Sequence, residues 1–191
     1  MEKKYIGAQE LLEDSVKLGA RILKSDFRPN FMVGVWRGGS PVGIVVQELL
    51  EYYGVSTDHI SIRTSSYIGV GERRKTVRVH GLDYLIKRVN AEDSLLLVDD
   101  VFDSGRSLEA VLDTLSAKAR RNLPQDIRIA TVYYKPEKNE TRLAPDFFIH
   151  ETDRWLVFPH EVEGMSVEEI CEHKPGWKDT ISELDRTLKS V

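Results

Sequence analysis

The sequence predicts an α/β fold, doubly wound, with a mainly parallel sheet flanked by helices. Three features carry that expectation. Apolar runs of strand length alternate with helical patterns, as in Ser94 to Val98, Leu108 to Ala119 and Ile127 to Tyr134. The run Leu95-Leu96-Leu97-Val98 is apolar at every position, which suits a strand covered on both faces. Two adjacent acids, Asp99 and Asp100, follow immediately after that run, where open α/β sheets hold their ligands. A length of 191 residues suits one domain with room for a small appended hood.

The elements follow in order. From Gln9 to Ser25, Leu11, Leu12, Val16, Leu18, Ile22 and Leu23 recur at helical spacing, so this segment is expected to be an amphipathic helix with that stripe packed on a core. Phe31 to Val35 follows Pro29-Asn30 and predicts a strand, and Trp36-Arg37-Gly38-Gly39-Ser40-Pro41 has turn chemistry. Gly43 to Tyr53 is apolar on most sides and ends at Gly54, the pattern of a buried helix with glycine just past its end. His59 to Tyr67 and Thr76 to His80 are expected to be extended and to flank a mobile hairpin or lid. The strand, helix and strand named above continue the chain, with a right-handed crossover as the default. Phe147 to His150 and Trp155 to Phe158 are short extended runs, and the stretch from Ser166 onward is expected to be helical. The core is expected to span about residues 27–150, with a hood from about 145–165 plus the N-terminal segment, and 166–191 as a helical extension.

Composition narrows the function classes. The chain is 41% hydrophobic and 30% charged, and no apolar run approaches the roughly 20 residues that span a bilayer. No membrane association is expected, and Met1-Glu2-Lys3-Lys4-Tyr5 lacks the apolar stretch of a secretory signal. Cys171 is the only cysteine, which excludes an intrachain disulfide and fits a cytoplasmic location. A net charge of −4 argues against nucleic acid as the main partner. The local exception is Arg73, Arg74, Lys75 and Arg78, which suit either a phosphate-facing loop or a solvated one.

The chemistry concentrates at Val98-Asp99-Asp100-Val101-Phe102-Asp103-Ser104-Gly105-Arg106-Ser107. Adjacent carboxylates at a strand tip can accept hydrogen bonds from vicinal hydroxyls or hold a hard cation through water. The turn from Asp103 to Ser107 adds small residues, hydroxyls and free backbone N–H groups at a helix N-terminus, which suit a phosphate dianion. A ribose 5-phosphate fits both halves. Neither a Walker-type loop nor a G-x-G-x-x-G turn is present.

From Val98 to Ser107 the chain resembles the ribose-diphosphate motif of type I phosphoribosyltransferases, and the resemblance extends over roughly residues 30–162. Trp36-Arg37-Gly38-Gly39 is similar to the family's pyrophosphate loop, which often has a non-proline cis peptide at the position of Trp36–Arg37. Ser65-Ser66-Tyr67 resembles the flexible loop that closes over the reacting centre. Lys135-Pro136 resembles the 6-oxopurine (hypoxanthine, xanthine, guanine) branch, in which the lysine contacts the 6-oxo group. Trp155-Leu156 resembles that branch's hood, in which a ring stacks on the base, and Glu161 falls near an acid that helps to bind magnesium diphosphate.

The resemblance implies transfer of the 5-phosphoribosyl group from phosphoribosyl diphosphate to a 6-oxopurine, with release of pyrophosphate and with Mg²⁺ as cofactor. Asp99 and Asp100 would hold the ribose hydroxyls and their metal, with Glu161 a further metal candidate. Asp103 would act as general base on the purine and, with Ser104, Gly105, Arg106 and Ser107, would line the 5-phosphate site. A homodimer or homotetramer is implied as well. Position 106 is Arg where many relatives carry Gly or Lys, and Val157-Phe158-Pro159-His160 departs from the commonest hood sequences, which leaves the choice of purine open. Two other readings stand beside this one: a regulator of the same fold that binds nucleotides or RNA, and a transferase acting on a different base.

Overall fold

A computed structural model of the chain describes residues 2–68 and 75–188. Its elements are β1 (Lys3–Tyr5), α1 (Ala8–Lys24), β2 (Phe31–Trp36), α2 (Gly39–Tyr52), β3 (Asp58–Ile68), β4 (Lys75–His80), α3 (Asp83–Ile86), β5 (Ser94–Phe102), α4 (Arg106–Ala119), β6 (Asp126–Tyr134), β7 (Phe147–Glu151), β8 (Trp155–Val157), α5 (Val167–His173) and α6 (Lys178–Leu188). The contacts divide the chain into two compact units, Leu12–Asp153 and Met1–Leu11 with Arg154–Val191.

The larger unit is built on a six-stranded sheet of order β4-β3-β2-β5-β6-β7. Every pairing is parallel except β3 with β4, a hairpin whose register runs from Arg63 opposite His80 to Ile68 opposite Lys75. The mainly parallel, helix-flanked sheet is therefore the one expected. β2 and β5 lie at its centre, and Leu95, Leu96, Leu97 and Val98 have no solvent exposure. Val33, Val35, Leu95, Leu97 and Ile129 pack against Leu85 of α3 and Leu108, Val111 and Leu115 of α4. At roughly 1.5–3 kcal/mol for each fully buried aliphatic side chain, this apolar layer is the main force holding the strand tips in place.

Three local expectations need correction. Leu12 and Val16 do not belong to the packed stripe of α1; they are 46% and 42% exposed, and Asp14 and Ser15 are buried in their place. Asp14 tolerates burial because Lys17 donates to it at 2.7 Å and His150 of β7 lies 2.7 Å from its other oxygen. Helix α2 begins at Gly39 rather than Gly43, because Pro41 falls in the first turn, where a missing N–H costs nothing. It is also not buried all round: Val42, Val46 and Leu50 face the core while Ile44 and Tyr52 are exposed. The strand β5 continues four residues past Val98, so both acids lie within it.

In the smaller unit, β1 and β8 pair in parallel, with Lys3, Lys4 and Tyr5 opposite Trp155, Leu156 and Val157. Ile6, Leu156, Val157, Phe158 and Ile170 form its apolar centre. Ser166 caps α5 by accepting from the N–H of Glu169 at 3.2 Å, and Pro175 separates α5 from α6. No described helix is long and apolar enough to cross a membrane.

Candidate active site

Two strand-to-helix turns in the larger unit meet at the Asp99-Asp100 pair. The first joins β2 to α2 through Trp36, Arg37 and Gly38, with a cis peptide bond between Trp36 and Arg37. Trp36 is 55% exposed, and Gly38 and Gly39 are buried. A Cβ on Gly38 would stand 1.9 Å from Asp100 Oδ2, and one on Gly39 would stand 2.3 Å from the Val98 carbonyl oxygen. Only glycine lets this turn approach the acids so closely.

The second turn joins β5 to α4. Gly105 adopts φ +78°, and an added Cβ would meet the Phe102 ring and Thr141 Oγ1 within 2.7 Å. Gly105 stands at the N-cap of α4 and has no side chain with which to cap its first N–H groups. Asp99, Asp100, Asp103, Ser104, Gly105 and Ser107 line a cleft of about 210 Å³ at this turn.

The charges in this cleft are arranged unevenly. Asp100 is 7% exposed and Asp99 half-buried. Burial first, and then the adjacent Asp100 carboxylate, push the Asp99 carboxyl well above the usual range; N–H groups of Asp100, at 3.0 Å, and of Gly39 pull in the other direction. Lys135 is 6% exposed and its Nζ lies 3.1 Å from Asp103 Oδ2, so the candidate for the 6-oxo group and the candidate general base form one ion pair. The backbone keeps them together, since the Lys135 N–H donates to the Phe102 carbonyl at 2.9 Å.

Arg106 forms an ion pair with Glu140, whose N–H also donates to the Ser104 carbonyl at 3.0 Å. The unusual arginine thus ties the turn to the segment after β6. Neither Glu140 nor Thr141 stood out in the sequence, because neither belongs to a motif and only the folded turn brings them to Gly105.

Ser65, Ser66 and Tyr67 lie in β3, opposite Arg78, Val77 and Thr76 of β4. Ser65 Oγ is 3.2 Å from His80 Nε2. Arg73 and Arg74 of the basic cluster lie outside the described residues, as does most of the expected lid.

The remaining candidates belong to the smaller unit. The Trp155 ring is 58% exposed, whereas the Leu156 side chain is buried in the apolar centre. Glu161 accepts from the Phe158 N–H at 3.0 Å, and the Phe158 carbonyl accepts from the buried Lys174 ammonium. Burial lowers the Lys174 pKa, with the Glu161 charge opposing that shift. These bonds fix the turn from Phe158 to Glu161.

Comparison with known proteins follows the same lines. A family model described as the phosphoribosyl transferase domain matches residues 6–169. The chain is 29% identical over 160 residues to a xanthine-guanine phosphoribosyltransferase of Desulfotalea psychrophila, covering 83% of this chain and 86% of that one. It is 31% identical over 144 residues to the enzyme of that name from Cereibacter sphaeroides, covering 72% of each. Among solved structures, a purine phosphoribosyltransferase from Pyrococcus horikoshii superposes with a TM-score of 0.65 at 26% identity, covering 87% of this chain and 99% of that one.

Proposed function

Because the chain belongs to the phosphoribosyl transferase domain family, we propose that it transfers the 5-phosphoribosyl group of phosphoribosyl diphosphate to a 6-oxopurine, releasing pyrophosphate in purine salvage. The observation that carries this reading is the meeting of two glycine-bearing turns on Asp99 and Asp100, with the Lys135–Asp103 pair at the same strand ends. One turn suits a diphosphate, the other a 5-phosphate, the acids suit a pentose, and the ion pair suits a base with a carbonyl beside an N–H.

In this reading the α4 N-terminus, with Ser104, Gly105, Arg106 and Ser107, holds the 5-phosphate. Asp99 and Asp100 accept from the ribose hydroxyls, while Trp36, Arg37, Gly38 and Gly39 form the wall facing the diphosphate. Lys135 donates to the purine 6-oxo group, and Asp103 takes the proton that the imidazole ring loses as its nitrogen bonds to the anomeric carbon. Positive charge grows on the ribose ring as the diphosphate departs, so carboxylates on one side and N–H donors on the other match both partners of the transition state. The segment around Ser65, Ser66 and Tyr67 excludes water from the donor.

Mg²⁺ fits this donor set. Two adjacent carboxylates supply hard oxygen ligands, one of them strained by the charge of the other, and no group of three or more metal-ligating side chains occurs among the described residues. That is the kind of site at which magnesium is held by one or two carboxylates, waters and substrate phosphates. Bound there, the ion would neutralise charge on the leaving diphosphate. Glu161 is a further candidate ligand, and Trp155 is the exposed ring proposed to stack on the base. The whole chain, residues 1–191, is taken as one phosphoribosyltransferase domain that works in the cytoplasm as a homodimer or homotetramer.

The test is turnover of hypoxanthine, guanine and xanthine, against adenine and uracil, by purified protein with Mg²⁺ and phosphoribosyl diphosphate. Turnover of at least one 6-oxopurine is expected, with none of uracil. Asp103→Asn should slow it by about 10²-fold to 10⁴-fold. Failure to use any purine would overturn the reading, and normal turnover by the Asn variant would remove Asp103 from it.

A further inference from the structure

Thr131 lies in the middle of β6 with no solvent exposure, and its hydroxyl has no hydrogen-bond partner among the described residues. An unpaired buried hydroxyl is costly, so such a group calls for an explanation. The backbone around it is committed: β6 is paired on one side with β5 and on the other with β7. The residues in register with Thr131 are Asp99 on β5 and Phe148 on β7. Residues in register on adjacent strands are nearest cross-strand neighbours, and only one of these two has an acceptor.

Asp99 has capacity for another donor. Its carboxyl group already receives the N–H groups of Asp100 and Gly39 and shares a hydrogen bond with the Asp100 side chain, yet a carboxylate offers about four acceptor positions. It also has the like charge of Asp100 beside it. An uncharged donor behind it would steady the carboxylate without competing for the cleft.

We propose that Thr131 is a positioning residue for Asp99: on binding of the donor sugar its hydroxyl donates to the Asp99 carboxylate and fixes the orientation in which that carboxylate meets the ribose hydroxyls. The inference rests on the reading of Asp99 as a ribose-holding acid. Thr131 touches neither substrate nor metal and acts through Asp99 alone.

The test compares Thr131→Val, which keeps the shape and removes the hydroxyl, with Thr131→Ser, which keeps the hydroxyl. Initial rates are measured against phosphoribosyl diphosphate and against the purine, with calorimetric binding of Mg²⁺–phosphoribosyl diphosphate and thermal unfolding of the ligand-free protein alongside. The Val variant should raise KM and Kd for the donor about tenfold, leave KM for the purine within twofold, and unfold at the same or a higher temperature, since it deletes an unpaired buried group. The Ser variant should retain donor affinity within about threefold of the parent. Unchanged donor affinity in the Val variant would overturn the assignment, as would a loss in both substrates accompanied by a lower unfolding temperature. If the unmodified protein binds no phosphoribosyl diphosphate, the functional reading fails and this inference with it. If the parent binds normally and the Val variant is indistinguishable from it, only the role of Thr131 is lost.

Discussion

The turn after β2 and the turn after β5 are built on one plan, a central strand delivering its tip to a helix N-terminus, but glycine does a different job in each. After β2, Gly38 and Gly39 are needed because another part of the chain occupies the space: the Asp100 carboxylate and the Val98 carbonyl stand where their Cβ atoms would be. After β5, Gly105 is needed first for its own backbone, which turns left-handed at φ +78°. The first turn therefore senses the acids, and the second holds its shape through local conformation and the packing of Phe102 and Thr141. Damage to the first should appear in donor binding through Asp99 and Asp100, and damage to the second in the phosphate-binding backbone and in stability.

The sharpest way to break this contrast is Gly39→Ala. Its Cβ would meet backbone at Val98 and Asp99, which cannot swing aside as a side chain can. Donor affinity should fall by more than 10²-fold, read by calorimetry, with about 1–3 kcal/mol lost from stability in urea. Gly38→Ala should be milder in stability, since the atoms it meets belong to the Asp100 side chain, yet severe in activity because that carboxylate must move. Equal stability losses in the two variants would undo the distinction between backbone and side-chain contact. Gly105→Ala comes next, with about 1–2 kcal/mol of strain from the left-handed conformation and weaker inhibition by ribose 5-phosphate. Pyrophosphate inhibition should change less in this variant than in Gly38→Ala.

How far the sequence revealed these turns depends on what holds each of them. The parallel sheet was legible because Leu95 to Val98 and Ile129 to Tyr133 are buried strand segments that show it in their largely apolar composition. The acid pair and the small-residue turn into α4 stood out because they are contiguous. The packing of Gly38 on Asp100 was not, because it joins residues 62 positions apart and leaves no periodic trace. The same holds for Glu140 on Arg106, which the segment after β6 brings to the start of α4, and for Thr131 beside Asp99, which strand register sets. On α1, hydrophobicity assigned Leu12 and Val16 to the core, whereas an ion-paired aspartate took that place. Charge compensation across 136 positions, from Asp14 to His150, is invisible to a local pattern.

That buried aspartate gives the smallest predicted effect and serves as a control away from both turns. Burial alone would raise the Asp14 carboxyl, but the hydrogen bonds with Lys17 and His150 outweigh it and hold the group below its usual value. A carboxyl depressed in the folded state stabilises the fold at pH above its unfolded value, and that contribution disappears as pH falls through the folded value. Stability should therefore decline on acidification below about pH 4, the ordinary aspartate range, and Asp14→Asn should flatten that part of the curve. The variant should lose about 1–3 kcal/mol at neutral pH while keeping donor affinity within twofold, because this contact joins α1 to β7 and involves none of the residues that the glycines of the two turns pack on. A large fall in donor affinity in Asp14→Asn would mean that the two turns are not locally determined, and that the sheet edge at β7 helps to set the geometry at β5.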